Sequence, residues 1–136
     1  GGATLLAGGH ALPRPGFFYA PTAIAEPPAD SPAAREELFG PVAAIFRVAD
    51  LDEALTRAND SPFGLGAAVW TGERHEAERA AAELEVGTVR VNGIVASDPR
   101  LPFGGVKRSG HGRELGEWGL REFVNVKSVQ LGGELR

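Results

Sequence analysis

The 136-residue chain contains no cysteine and no methionine. Without cysteine there is no disulfide framework, no thiolate metal site and no cysteine nucleophile within these residues. That lack suits a cytoplasmic protein. Without a methionine at position 1, the chain is expected to begin at a processing point or a trimmed end, and its first residues lack the charged-then-apolar pattern of a signal peptide. Long hydrophobic runs are missing too, so no segment is expected to cross a bilayer. Positive charge is in short supply: 14 Lys and Arg stand against 18 Asp and Glu, a net charge of -4. Phosphate-backbone binding needs clustered cations, and Lys107–Arg108 is too short a cluster, so nucleic acid is not expected as a partner. The three histidines, His10, His75 and His111, have no shared ligand spacing, and no metal site is predicted.

What is present is ordinary for a globular protein: 43% hydrophobic and 24% charged residues, with 19 glycines and 10 prolines that cut the sequence into short blocks. At this length the chain is expected to bury a real core as one domain or a piece of one. Thr4 to Ala7 reads as a strand, as does Phe17 to Ala25, with a bend or sheet edge at Pro21. Glu26 to Pro32 is a proline-rich loop leading into a helical turn at Ala33 to Leu38. Val42 to Val48 is nearly continuous apolar sequence, the pattern of a strand covered on both faces.

A helix should follow, capped by Asp50 with Glu53 three residues on, and stopped at Asn59-Asp60-Ser61-Pro62. Leu65 to Trp70 is another apolar strand. Thr71 is expected to cap a second helix with an alanine-rich stripe, Ala77, Ala80, Ala81 and Leu84, ending at Gly87. Thr88 to Asn92 alternates as a strand. The order strand, helix, strand, helix, strand implies a parallel sheet with right-handed crossovers. Gly93 to His111 is a long loop without periodicity, the kind that usually carries function. A short helix is predicted within Gly112 to Leu120, and Phe123 to Leu131 closes as a strand.

Neither usual phosphate loop fits. Gly110, Gly112 and Gly116 imitate a dinucleotide fingerprint but follow no strand and have no acidic residue about 20 positions on. Gly105-Val106-Lys107 does not put Lys directly after the last glycine of a Walker loop. No strand-to-helix elbow presents a serine nucleophile.

Several blocks remain: Glu36 to Val42 (EELFGPV), Arg57 to Leu65 (RANDSPFGL), Gly87-Thr88-Val89 with Val91-Asn92, Pro102 to Gly105 (PFGG) with Lys107 and Ser109-Gly110, and Gly112-Arg113-Glu114. In this order and at these spacings the chain resembles the carboxy-terminal part of the aldehyde dehydrogenases. The resemblance implies an α/β fold: a partial parallel sheet with crossover helices, the C-terminal half of that family's catalytic domain, over residues 1–122. Residues 123–136 would then be an oligomerisation strand and tail.

It also implies roles. Glu37 corresponds to the family's glutamate at the nicotinamide ribose and Phe39 to the phenylalanine against the nicotinamide ring. A carboxylate can accept two hydrogen bonds from a vicinal diol, and an aromatic face can seat a flat ring. Without the resemblance, Glu37 reads as a helix-end carboxylate and Phe39 as a core anchor. Phe103 matches a position lining the substrate entrance, with a plug under a glycine loop as its structural reading. Asn92 to Pro102 (NGIVASDPRLP) looks like the version found in succinate-semialdehyde dehydrogenases. Ser97 falls where those enzymes place a serine on the distal carboxylate, and is otherwise an ordinary loop serine. Arg100 is a possible second carboxylate contact.

The implied cofactor is NAD or NADP, and the implied substrate a small aldehyde, of which succinate semialdehyde is the expected one. In the family a cysteine thiolate attacks the aldehyde and a glutamate activates water for hydrolysis. Both residues, with the dinucleotide-binding lobe, precede the equivalent of Gly1. The chain alone is therefore expected to be inactive, to need the remaining N-terminal part as partner, and to assemble as a homo-oligomer through its C-terminal strand. The alternative from another class is a stand-alone binding or oligomerisation module that kept this fold without catalysis.

Overall fold

Short apolar blocks between glycines and prolines fold into short elements in the computed structural model, which describes residues 2–134. The backbone divides into two units, Gly1–Ser61 and Pro62–Arg136.

The first unit holds β1 (Thr4–Ala7), β2 (Thr22–Ala25), α1 (Pro32–Arg35), β3 (Val42–Ile45) and α2 (Leu51–Asn59). The strands form one sheet in the order β1-β2-β3, with β1 antiparallel and β3 parallel to β2. Pro21 lies just before β2, where its missing N–H costs no ladder bond. Buried Thr22 ties the chain back on itself: its hydroxyl donates to the Ala20 carbonyl at 2.8 Å and accepts from the Gly9 N–H at 2.9 Å. The cap expected for α2 is present. Asp50 accepts from the Glu53 N–H at 2.9 Å, while the Glu53 carboxylate reaches back to the Ala49 N–H at 2.8 Å, which satisfies two N–H groups near the helix start.

The second unit holds β4 (Phe63–Gly64), β5 (Gly66–Val69), α3 (Arg74–Glu83), β6 (Thr88–Val91), β7 (Val106–Lys107) and α4 (Gly116–Arg121). β5 and β6 pair in parallel with α3 between them, and β4 pairs antiparallel with β7. The expected single parallel sheet is therefore corrected. Parallel pairs exist, but β3 takes β2 as neighbour and β5 takes β6, in separate sheets. Periodicity identifies strands; it does not choose their neighbours. α3 also starts two residues later than expected, with Glu73 and not Thr71 at its N-cap. The Thr71 hydroxyl accepts from the Glu73 N–H at 2.9 Å and donates to the Glu76 carboxylate, so it organises the turn before the helix instead of capping it.

Two further expectations change. The stretch 93–111 contains β7, a two-residue strand too short to leave a periodic pattern. Residues 123–131 form no strand, because among the described residues no segment pairs with them in a ladder.

The core is also much smaller than the length suggested. Among the described residues only Ala20, Pro27, Leu55 and Ala80 are buried apolar side chains. β3 alternates half-buried and exposed positions, with Ile45 46% exposed, so the two-sided cover expected for Val42 to Val48 is absent. A sheet one layer thick hides at most one face, and each long helix buries a single residue.

Candidate functional site

The first candidate segment follows α1. That helix starts with Pro32 at its first turn and stops after four residues, where Glu36 turns extended. The chain then runs irregularly to Pro41, whose carbonyl accepts from the Thr22 N–H at 2.8 Å and so anchors the segment to β2. Glu37 is exposed, and its carboxylate has neither a hydrogen bond nor an ion pair among the described residues. Phe39, two residues on, is 93% exposed and sits at φ 39°. A left-handed backbone costs a residue with a Cβ roughly 1–2 kcal/mol, and exposing a phenyl ring forgoes roughly 1.5–3 kcal/mol of burial. Of the readings made without the family, Phe39 as a core anchor does not survive, while Glu37 does stand at the helix end, directly after the C-cap Glu36, without a bond there. Both side chains are held outward from a tethered backbone.

The second candidate region, in the other unit, is built differently. Phe103 exchanges backbone hydrogen bonds with Glu114, at 2.8 and 2.7 Å. It lines an open groove of about 430 Å³ with Leu65, Ser109, His111, Glu122 and Phe123. The glycines after it are required by close packing. A Cβ on Gly105 would stand 2.5 Å from the Ser109 Cβ, and one on Gly87 would stand 1.6 Å from the Gly104 carbonyl oxygen. Arg113 binds the loop from inside, donating to the Gly105 and Gly112 carbonyls at 2.9 and 2.7 Å. The Ser109 hydroxyl accepts from the Gly64 N–H at 3.0 Å, joining the loop to β4.

Upstream, Asn92 ends β6 at φ 51°. Its side chain accepts from the Thr71 N–H at 3.0 Å and donates to the Thr71 carbonyl at 2.9 Å. The amide thus extends the β5–β6 pairing by one rung, as a backbone group would. Ser97 lies exposed on the loop that follows, with no hydrogen-bond partner among the described residues and outside the groove lined by Phe103. Arg100 is not a free cation. Its backbone N–H and Nε donate to Asp98 Oδ1 at 2.9 Å each, and its Nη2 to Oδ2 at 2.6 Å. The hydrogen bonds from the Arg100 side chain, then from its backbone, hold the Asp98 carboxyl well below the usual carboxylate range; the same pairing raises the guanidinium.

The structural roles of Asn92, Asp98 and Arg113 were not read from the sequence. Asn92 at a strand end is one signal that could have been used, since asparagine is enriched at positive φ. The cross-loop reach of Arg113 left no local signal. Among the described residues no group of three or more His, Asp or Glu could hold a metal ion, and no helix is long and apolar enough to cross a membrane.

Residues 1–129 match the profile of the aldehyde dehydrogenase family. The chain belongs to that family. Among curated aldehyde dehydrogenases it is 51% identical over 130 residues to a probable succinate-semialdehyde dehydrogenase [NADP(+)] of Synechocystis sp., which covers 96% of this chain and 29% of that protein. Among solved structures, succinic semialdehyde dehydrogenase from Streptococcus pyogenes in complex with NADP+ superposes with a TM-score of 0.91 at 42% identity, over 97% of this chain and 29% of that one. An aldehyde dehydrogenase of Mycobacterium tuberculosis complexed with NAD+ superposes at 0.88 with 40% identity, over 96% and 27%. The mixed α/β fold is thus that of aldehyde dehydrogenases whose cofactors are NADP+ or NAD+. The chain spans a little under a third of the length of the relatives it matches.

Proposed function

We propose that the chain is the carboxy-terminal part of an NAD(P)-dependent aldehyde dehydrogenase that oxidises a carboxylated aldehyde, succinate semialdehyde first among them, to the acid. The observation that carries this reading is the unpartnered Glu37 carboxylate beside Phe39, exposed and held at φ 39°. Strained, exposed residues of this kind mark ligand-facing positions. The pair fits the group it would hold: two carboxylate oxygens for a ribose diol, and an open aromatic face for the nicotinamide ring. The cofactor, when bound, supplies a hydride acceptor. In the first unit Glu37 orients the ribose and Phe39 sets the plane of the ring. In the second, Phe103 shapes the approach of the aldehyde and the Ser97 hydroxyl donates to its distal carboxylate.

The chemistry of bond making falls to residues outside this chain, since it has no cysteine. The wide apolar exposure of β1, β3 and residues 123–131 supports the same view, for such surface is ordinarily covered by protein. Phe123, Val126 and Leu131 (91, 98 and 69% exposed) suit strand pairing with a second copy. A cytoplasmic site of action accords with the missing cysteines.

The test is aldehyde-dependent cofactor reduction. The purified 136-residue chain is expected to give none, and turnover by that chain would overturn the proposal. In the full-length enzyme Ser97→Ala is expected to lower kcat/KM for carboxylated aldehydes about tenfold, in line with the roughly 1–3 kcal/mol cost of an unpaired polar group. An equal loss with an uncharged aldehyde would make the serine structural.

A further inference from the structure

We propose that the Asp98–Arg100 pair is a positioning device that aims the Ser97 hydroxyl, making Asp98 a specificity-determining residue that does not itself touch the aldehyde. The inference rests on the reading of Ser97 given above and deepens it.

Ser97 has no hydrogen-bond partner among the described residues, so what its hydroxyl can reach is set by where the backbone on either side places its Cα. Upstream, that backbone is set at Asn92 by the two hydrogen bonds to Thr71. Downstream it is set at Asp98. The Asp98 carbonyl accepts from the Leu101 N–H at 2.9 Å, closing a turn, and the next carbonyl, of Pro99, accepts from the Gly116 N–H at 3.1 Å, joining that turn to the start of α4. Proline at 99 disfavours helical backbone at Asp98 and steers it extended. The three donations from Arg100 to the Asp98 carboxylate then brace the turn across its mouth. A planar guanidinium meeting both carboxylate oxygens gives direction as well as attraction.

The rival reading makes Arg100 itself the partner of the substrate carboxylate. Its Nε and Nη2 are already committed to Asp98, and a substrate would have to displace that carboxylate. The two readings predict opposite signs. Removing the Asp98 charge strengthens attraction for an anionic tail and frees Arg100, so a purely electrostatic role gives tighter binding. A positioning role gives weaker binding.

The measurement is the ratio of kcat/KM for a carboxylated aldehyde to that for an uncharged aldehyde of similar length, in the full-length enzyme. Asp98→Ala is expected to lower this ratio about fivefold, chiefly through KM for the carboxylated substrate, a coupling of the size seen between neighbouring residues. Asp98→Asn keeps an acceptor for the Arg100 N–H and is expected to fall between wild type and Asp98→Ala. Should Asp98→Ala not fold, Asp98→Asn carries the test with the same direction. Added to Ser97→Ala, Asp98→Ala should lower the ratio no further. A raised ratio, an unchanged ratio, or a loss additive to that of Ser97→Ala overturns the proposal. If Ser97→Ala leaves the ratio unchanged, the substrate reading of Ser97 fails and takes this inference with it. If Ser97→Ala lowers the ratio and the Asp98 variants do not, only the positioning role is lost.

Discussion

Residues 36–40 and the stretch 92–115 are mostly irregular backbone, the second broken only by β7, and they are held in opposite ways. The first is anchored at its ends and leaves its side chains unengaged: Glu37 has no partner and Phe39 faces solvent at a left-handed φ. The second is tied along its length by Asn92, Asp98, Arg113 and the Phe103–Glu114 bridge, with glycines wherever backbone meets backbone. A surface that binds by its side chains benefits from leaving them free. A loop whose own course shapes a pocket benefits from rigidity, because each fixed hydrogen bond reduces the ordering cost at binding.

The contrast predicts that mutations in the loop unfold and mutations in the segment disarm. Gly87→Ala, just before β6 and packed on the loop, should have the largest effect: its Cβ would overlap the Gly104 carbonyl oxygen, and a destabilisation above roughly 4 kcal/mol, read by thermal melting, is expected for backbone-on-backbone overlap with no side chain to yield. Asn92→Ala loses both bonds to Thr71 while keeping the positive φ, and should cost about 1–3 kcal/mol in the same melt. Glu37→Gln in the full-length enzyme should leave the melt unchanged and weaken cofactor binding about tenfold, measured by titration and by single-turnover hydride transfer. A change in melting there would mean that Glu37 is structural after all. Phe39→Gly has a small effect on stability and the most telling sign. Relief of the left-handed strain should raise stability by up to about 1 kcal/mol, while cofactor affinity falls. A variant that binds as well as wild type would remove the ring from the site.

Legibility divided along the same line. The cap at Asp50 and the strand at Thr88 to Val91 were readable because local hydrogen bonds and alternation leave local patterns. The EELFGPV and PFGG blocks pointed to the family before any coordinate did. The separate sheets and the thin core were not readable from pattern. An apolar run such as Val42 to Val48 records the environment it is suited to, and within this chain Ile45 stays open on one side.

By itself, the sequence determined most of the helices and strands up to β6, the family, and the lack of a nucleophilic thiol, since each depends on residue identity or on spacing within a few positions. Only the tertiary structure decided that Arg100 is engaged by Asp98, that Asn92 is locked onto Thr71, and that Phe39 stands outward under strain. Asn92 and Thr71 lie 21 residues apart, and a contact of about 3 Å between such groups leaves no trace in the order of the residues; the Asp98–Arg100 pairing and the Phe39 backbone are local, yet side-chain direction and φ there are set by the folded course of each segment.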